Sequence, residues 1–421
     1  MKHALAPVAA LLLGVSILLT GQGLQGTLLP VRAALENFST LSIGIIGGGY
    51  FLGFTIGCLK CGELVKRVGH VRVFAAMTAL ASATPLVHGL LLSPWAWGLL
   101  RFLSGFCFAV LYVVIESWLN DRSSNENRGI VFSTYVMITL TVLALGQMMT
   151  LLYDPLDMHL FAIASVLVSI AAIPVVLSKS QSPEVPESVE LDIRRLYGIS
   201  PAGTVGCLAV GLTNGAFWSL APVFTAGFSP DVSLAAWFMT SAVFGGAVLQ
   251  WPLGFLSDRF GRRRVLLVAA VTSAAVAILI VLTVGKLSFV GINLLGMAWG
   301  STAFPIYALA VAHANDHAEP QEFVTVSGGL LLMYGGGAIV GPFLASAVME
   351  IANETGLYLY TAAIHLLLVV YVAIRMARRE TSPADQHMPF GDALATAHTA
   401  SQFYNEEMQQ HADSDEESVA S

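Results

Sequence analysis

A short stretch, GFLSDRFGRRRVLL, carries five charged side chains within the seven positions from Asp258 to Arg264. Only 11% of the whole chain is charged, so this density is unusual for the molecule. Glycines at 254 and 261 allow helix ends to approach closely and the chain to turn sharply. Asp258 can accept hydrogen bonds from a helix N-terminus, and the arginines can bind neighbouring carboxylates. The stretch is either a set of ion pairs that forms in one conformation and breaks in another, which we call a latch, or a basic signal that only fixes membrane topology.

Arg101 stands inside an apolar stretch, where a guanidinium costs about 2.5 to 3.5 kcal/mol on membrane-insertion scales. Helical spacing puts Gly105, Tyr112 and Glu116 near the same face, which predicts a polar stripe directed toward the interior. Arg101 and Glu116 are therefore candidates for a titratable partnership that couples to protons. Two alternatives remain open. The side chain of Arg101 can extend to the outer membrane–water interface, and Glu116 can form ion pairs or hydrogen bonds with loop residues.

Uncharged polar groups interrupt several other apolar stretches. In hydrocarbon such groups seek partners, and a shared cavity would supply water and solute. The alternative is that they bond helices to one another. The candidates for lining a solute cavity are Gln22, Gln25, Thr27, Gln147, Asn214, Trp218 and Tyr307.

Three other signals do not support further chemistry. Cys58 and Cys61 have redox spacing, but no second cysteine pair or nearby histidine accompanies them, so helix packing is expected. The stretch HANDH at 313–317 is too short to predict a metal site. The sequence has no phosphate-binding GxxxxGKS/T motif and no basic, aromatic-interleaved domain. We therefore expect no enzyme activity, no metal, no cofactor and no nucleic-acid partner.

The elements that position these residues follow from composition. The 421-residue chain is 56% hydrophobic, which is more apolar surface than a soluble domain can bury. Runs of about 20 apolar residues recur, each able to cross a bilayer core of about 30 Å as a helix. The sequence predicts an all-α integral membrane protein with twelve spans, at roughly 5–29, 40–62, 71–92, 95–118, 128–152, 157–178, 201–227, 233–256, 263–284, 287–313, 321–348 and 354–377.

Lys and Arg predict the orientation, because cytoplasmic loops collect them. They cluster between spans 2 and 3, 4 and 5, and 8 and 9, and again after span 12, whereas only Arg32 and Lys286 fall in opposite loops. Both termini are therefore predicted to be cytoplasmic. The predicted organisation is a first six-helix half at 1–178, a cytoplasmic linker at 179–200, a second half at 201–379 and an acidic, disordered tail at 380–421.

Internal repeats relate the two halves. The stretch GELVKRVGHVR at 62–72 aligns without gaps with GFLSDRFGRRR at 254–264, and QGLQGTLLPV at 22–31 aligns at the same offset with NGAFWSLAPV at 214–223. Gly146 and Gln147 similarly match Gly341 and Pro342. Span 1 is thus the partner of span 7, which favours a retained helix over a cleaved signal peptide.

Two parallel six-helix repeats resemble the major facilitator superfamily of secondary transporters. The stretch from Gly254 matches its loop signature G-x-x-x-D-R-x-G-R-R/K, RFLSGFCFA from Arg101 matches R-x-x-x-G-x-x-x-A in the fourth helix, and GAIVGP from Gly337 matches G-x-x-x-G-P. The resemblance covers about residues 5–378. Within the superfamily, WGLLRFLSGFCFAVLYVVIESWLND followed by NENRG is similar to the bacterial YcaD-like branch.

This resemblance implies a site near the bilayer midplane between the halves, and proton coupling that involves Arg101. It also implies a gating motif that stabilises the outward-facing state. Lys66 replaces the expected acid in the first half, so we expect two unequal latches, with Lys66 and Arg67 facing Glu116, Asp121 or Glu126. The motif residues are Gly254, Asp258, Arg259, Gly261 and Arg262, with Lys66, Arg67 and Gly69 at first-half positions.

The leading hypothesis is a monomeric, secondary active transporter of a small organic solute in the lipid bilayer of the bacterial inner membrane, coupled to protons. Spans 1 and 7 carry no dominant charge, which favours neutral or amphipathic solutes. One alternative is a transporter-like receptor that binds a solute without moving it and signals through its tail. Another is a scaffold with a degenerate cavity.

Overall fold

A computed structural model describes residues 8–123, 128–177, 193–319 and 322–378. They include twelve helical spans long and apolar enough to cross a membrane, which confirms the predicted fold class. The predicted tail and residues 178–192 of the linker region lie outside the described residues. The spans, numbered as predicted, are Ala9–Leu35, Thr40–Val68, His70–Leu90, Pro94–Asp121, Ile130–Leu151, His159–Val176, Pro201–Ala226, Val232–Phe260, Arg262–Lys286, Phe289–Asn315, Thr325–Ala352 and Gly356–Ala377.

Helix bounds differ from these spans at a few ends. The helix of span 5 begins at Arg128, that of span 11 at Phe323, and that of span 12 ends at Arg378. A short linker helix, Ile193–Ile199, precedes span 7. Serine and aspartate side chains cap several helices. At Ser200, for example, the hydroxyl oxygen accepts a hydrogen bond from the backbone amide of Gly203.

Two glycines replace the loops expected between spans 2 and 3 and between spans 8 and 9. Span 2 runs to Val68 instead of about 62, and span 8 runs to Phe260 instead of about 256. Gly69 has φ 85° and Gly261 has φ 92°, a backbone conformation that other residues rarely adopt. Each glycine thus turns the chain directly from one helix into the next, and most of the charged motif is helical.

Prolines affect the spans unequally. Pro305 divides span 10 into Phe289–Ala303 and Pro305–Asn315, because proline lacks the amide hydrogen that continues a helix. Span 1 continues to Leu35 and does not end near 29 as predicted. Three other prolines lie inside continuous helices: Pro30, Pro222 and Pro342.

Packing within each half follows the repeat. Gly146 of span 5 lies so close to span 1 that a Cβ atom there would collide with the carbonyl oxygen of Thr20. Gly341 of span 11 lies in the same way against the carbonyl oxygen of Leu212 in span 7. Small residues therefore allow the same close helix pairs in both halves, as the sequence repeat predicted.

The buried apolar side chains of the described residues form three cores. One core joins both halves and includes Leu28 and Ile46 from the first half and Phe217 and Met349 from the second. It lies toward the end of the molecule at which span 1 meets span 2, which we call the sealed end. Of the other two cores, one draws its buried residues from the first half and the other from the second half and the linker helix, and both lie toward the basic end, where span 2 meets span 3. The halves are thus packed together at the sealed end and have separate cores at the basic end.

Candidate functional site

A hydrogen-bonded group in the first half joins spans 1, 2 and 4. The amide nitrogen of Gln22 donates to the hydroxyl of Tyr50 at 2.8 Å, and Tyr112 donates to the amide oxygen of Gln22 at 2.8 Å. The guanidinium carbon of Arg101 lies 4.2 Å from the centre of the Tyr50 ring, in a cation–π arrangement. Tyr50 thus connects Gln22 with Arg101, two residues that sequence analysis selected separately.

Arg101 also lines a small cavity between the halves. Ile43 and Gly47 of span 2 form one side of this cavity, and Ser219 of span 7 forms another. Most of the remaining lining is apolar. The cavity lies near the sealed end, because its lining includes Leu29, Ile46 and Trp97 of the shared core. Arg101 therefore faces the boundary between the halves.

Glu116 occupies a different position on span 4. Its side chain is buried and accepts a hydrogen bond from the hydroxyl of Tyr135 in span 5 at 3.2 Å. Fifteen residues separate it from Arg101, which at about 1.5 Å per residue is about 22 Å along the helix. The expected direct partnership between Arg101 and Glu116 is therefore wrong. Tyr112 lies between them, one helical turn from Glu116.

The second half contributes a comparable polar group. Asn214, at the position matching Gln22, lies beside the side chain of Tyr334 in span 11. The ring of Tyr334 lies 5.1 Å from that of Tyr307, edge to face. Among the described residues, Asn214 Oδ1 is buried with no partner. Tyr334 and Phe54 line a second, mostly apolar cavity between spans 11 and 2.

The remaining cavity candidates separate into two kinds. Gln147 and Trp218 are engaged with other side chains: Thr240 donates to Gln147 Oε1 across the two halves at 3.2 Å, and Trp218 stacks on Phe304 with 5.8 Å between ring centres. Gln25 and Thr27 are buried, and among the described residues the oxygens Gln25 Oε1 and Thr27 Oγ1 have no partner. Gln147 thus joins helices at the sealed end.

The charged motif of the second half is built around Arg262, which is buried. Its Nη1 atom lies 2.6 Å from Asp258 Oδ1 and donates to Ser257 Oγ at 2.8 Å. Its Nε atom donates to Asp316 Oδ2 at 3.0 Å, and both side chains of that ion pair are 1% exposed. Asp258 lies in the last turn of span 8 and not in a loop. Arg262 therefore ties the ends of spans 8 and 10 to the start of span 9.

The other motif residues of the second half are less enclosed. Arg259 is exposed, with its guanidinium 5.5 Å from the ring centre of Phe260. Gly254 is buried, and its carbonyl oxygen accepts a hydrogen bond from Ser257. Gly261 supplies the positive-φ turn.

The first half lacks this arrangement. His70 stands where the second half has Arg262, and its Nε2 atom lies 3.2 Å from Ser117 Oγ. Lys66 and Arg67 are exposed and have no ionic partner within the described residues. Glu116, one of their expected partners, is buried against Tyr135, and Glu126 lies outside the described residues. The first-half end thus lacks the buried ion pair of the second half, and two unequal latches remain a prediction.

Polar residues at the end of span 10 pack against span 9. Arg263 Nε donates to His313 Nε2 at 3.3 Å, and Arg263 Nη2 lies 3.5 Å from His317 Nε2. Across the described residues, no group of three histidine, cysteine, aspartate or glutamate side chains could hold a metal ion. Cys58 and Cys61 are buried free cysteines.

Sequence analysis missed Tyr50, Tyr334 and Asp316. Tyr50 directly follows three glycines and Tyr334 directly precedes three. Each tyrosine is therefore a large side chain next to a helical segment that has no side chains. That symmetrical pattern, GGGY in span 2 and YGGG in span 11, is a signal that could have identified both. The partnership of Asp316 with Arg262 has no comparable sign, because 54 residues separate the two.

Comparison with known proteins agrees with this geometry. The model of the Major Facilitator Superfamily matches residues 11–197 and 203–401. The uncharacterised MFS-type transporter YcaD of Escherichia fergusonii is 26% identical over 379 residues, covering 90% of this chain and 97% of the relative. The uncharacterised MFS-type transporter Ent638_1421 of Enterobacter sp. strain 638 is 28% identical over 382 residues, covering 90% and 97%. The YcaD-like resemblance is confirmed.

Solved structures show the same fold. The nucleoside transporter NupG aligns with a TM-score of 0.76 at 15% identity, covering 89% of this chain and 100% of that protein. A bacterial homologue of the human lysosomal transporter Spinster, in an inward-facing and occupied conformation, aligns with a TM-score of 0.68 at 16% identity, covering 90% and 97%. At these identities the likeness establishes architecture alone.

Proposed function

We propose a transport function on one premise: this chain belongs to the major facilitator superfamily. It is a multi-pass membrane protein with twelve helical spans in its described residues. We infer that it is a secondary active transporter, and not an enzyme, which moves a small organic solute across the bacterial inner membrane. The mechanism we propose is alternating access, in which the two halves open toward one side of the membrane at a time.

The observation that carries this proposal is the unequal packing of the halves. They share a core at the sealed end, whereas the buried residues at the basic end belong to separate cores. Two rigid bodies with a shared core at one end can rock about the site between them. We infer that the described state is closed at the sealed end, and that the opposite state breaks part of the shared core.

The polar groups between the halves are the proposed solute site. Arg101 and Tyr334 each line a cavity between the halves. Tyr50 and Gln22 are joined to Arg101 in the first half, and Asn214 lies beside Tyr334 in the second. Hydrogen-bonding and aromatic groups from both halves would let one solute contact both. Binding would then favour the state in which both sets of contacts form.

We propose protons as the coupling ion, with Glu116 and Arg101 as the coupling residues. Glu116 is a buried carboxylate, so gaining or losing a proton changes its charge where water is scarce. It is one helical turn from Tyr112, which is hydrogen-bonded to Gln22 and through it to Tyr50 and Arg101. This polar chain is the route by which the proton state of Glu116 would influence solute binding at Arg101.

The basic end is proposed to be cytoplasmic, because its loops carry the lysines and arginines. In the state that opens outward, the two basic ends would come together. The buried Arg262 and Asp316 pair fixes the geometry of the second-half end. Asp258, which is exposed and pairs with Arg262, would then meet the exposed Lys66 and Arg67 across the gap. This assigns the latch chiefly to the second half.

Uptake into proteoliposomes tests the proposed function. Purified protein is reconstituted, an inward proton gradient is imposed, and uptake of each member of a panel of small neutral and acidic organic solutes is compared with protein-free vesicles. Accumulation of at least one solute, abolished by a protonophore, is expected. Binding without accumulation would identify a receptor, and accumulation that needs sodium and survives the protonophore would overturn proton coupling.

A further inference from the structure

The guanidinium of Arg101 has an unusual environment for a charge within a membrane span. Its contact in the structure is the face of the Tyr50 ring, 4.2 Å from the guanidinium carbon. In the part of the chain that the structure describes, no carboxylate, carbonyl or hydroxyl oxygen accepts a hydrogen bond from it. A guanidinium carries five N–H donors, and leaving them unmatched away from bulk water is costly. A cation–π contact alone offsets only a fraction of this cost.

The cavity beside Arg101 offers a place for the missing acceptor. Its lining is largely apolar and includes Leu29, Ile46 and Trp97, and its polar lining includes the hydroxyl-bearing Ser219. Ser219, too, forms no hydrogen bond with the described residues. Arg101 belongs to the first half and Ser219 to the second, so the cavity presents donors from both halves to one small group.

We propose that this cavity binds the carboxylate of a small organic acid, and thus that the solute of the proposed transporter is an organic monoanion. The proposal rests on the proposed function for its transport role but not for the binding site. A planar carboxylate matches the parallel N–H groups of a guanidinium, and charge-assisted bonds are roughly twice as strong as neutral ones. One cation in apolar walls matches one negative charge, whereas a dianionic phosphate would leave a charge unbalanced.

The position of the cavity also links binding to the access state. A carboxylate between Arg101 and Ser219 would join the halves near the sealed end, where they already share a core. The bound acid would therefore stabilise the sealed state, and release would follow toward the basic end. The aromatic cavity lined by Phe54 and Tyr334 lies farther along span 2 in that direction and suits the apolar body of the acid.

Thermal unfolding of the purified protein in nanodiscs tests the site with chosen probes. Phenylacetate, phenylacetamide and phenyl phosphate share one aromatic body and differ in the head group. We expect phenylacetate to raise the unfolding midpoint, and phenylacetamide and phenyl phosphate to do so far less. In Arg101→Gln the apparent affinity for phenylacetate is expected to fall by about tenfold to a hundredfold, as for a lost hydrogen bond to a charged group.

Matched variants keep the test decisive. Lys286→Gln removes an exposed positive charge near the same end and is expected to bind phenylacetate like the wild type. If Arg101→Gln does not fold, Arg101→Lys and Ser219→Ala are expected to weaken phenylacetate binding while leaving the response to phenylacetamide unchanged.

Equal stabilisation by acid and amide, no stabilisation by the acid, preference for the phosphate, or unchanged acid binding in the folded Arg101 variants would each overturn the proposal. These outcomes concern binding alone. Selective carboxylate binding without uptake in proteoliposomes would leave the anion site intact and remove the transport function.

Discussion

Arg262 and Asp316 form an ion pair with 3.0 Å between Nε and Oδ2, although each side chain is only 1% exposed. A buried pair is costly to break, because removing one partner leaves the other charge in a poorly solvating environment. Asp258, 37% exposed, lies 2.6 Å from the same guanidinium on the more open side. The buried member therefore holds Arg262 in place, and the exposed member is available to change partners.

Asp316→Asn is expected to lower the free energy of unfolding by about 2 to 3 kcal/mol, less than for a fully unpaired buried charge because Asp258 remains. The control is Asp121→Asn at the matching end of span 4, where the pair with Arg122 is long and exposed, at 3.6 Å. That change should cost less than about 1 kcal/mol. Thermal unfolding of the two variants measures the difference, and equal losses would show that the buried pair is not structural.

Gly261→Ala is expected to destabilise the protein by about 1 to 3 kcal/mol, because its φ of 92° is a strained conformation for alanine. Gly62→Ala is the matched control. Gly62 lies within the helix of span 2, and a Cβ atom added there would meet open space. This control should be neutral or stabilising by about 0.5 to 1 kcal/mol. Similar unfolding midpoints for both variants would argue against a tight glycine turn between spans 8 and 9.

Gly44→Leu is expected to force the sealed end apart. Gly44 of span 2 packs directly against Ser346 and Pro342 of span 11, so a side chain there would collide with both. Gly336→Leu is the control, since a Cβ atom at Gly336 meets nothing within 4 Å. A cysteine placed at Ile43, beside the Arg101 cavity, should react faster with an impermeant thiol reagent in the Gly44 variant only. No difference in labelling would contradict the assignment of this surface as the seal.

Glu116→Gln is expected to uncouple transport from protons, because the amide cannot take up or release a proton. Solute exchange across vesicles without a gradient should persist, whereas accumulation driven by a proton gradient should disappear. Tyr135→Phe, which removes the hydrogen bond to Glu116 but keeps the carboxylate, should shift the pH dependence and retain accumulation. Gradient-driven accumulation equal to wild type in Glu116→Gln would exclude this residue from coupling.

Much of the architecture could be predicted from the sequence, because membrane spans are continuous apolar runs and because the repeat fixes their correspondence. Helix ends were harder to predict where charged residues remain helical. The charges of Asp258 and Arg259 suggested a loop, yet the helix continues to the glycine that turns the chain. Contacts between side chains were harder still to predict. Spacing placed Arg101 and Glu116 on one face, but a face about 22 Å long does not bring them together.

The partners of the site residues come from other spans and could not be derived from spacing. Gln22 and Arg101 were both selected as polar groups in apolar runs, but Tyr50, which joins them, belongs to a run that looks wholly apolar and glycine-rich. Asp316 lies in a stretch, 313–322, that contains no lysine or arginine. Arg262 from the adjacent turn supplies the positive charge that this stretch lacks.

Reversible locking of the sealed end tests alternating access most directly. The backbone amide of Leu41 in span 2 donates to Glu350 of span 11 at 3.2 Å, so cysteines at these two positions can be joined by a short bis-methanethiosulfonate reagent, which forms a reducible disulfide with each thiol. The solute panel is presented to proteoliposomes before crosslinking, after it and after reduction of the link. Accumulation of an organic acid should stop when the link forms and return when it is cleaved. Undiminished accumulation in fully crosslinked protein would contradict transport by opening of the sealed end.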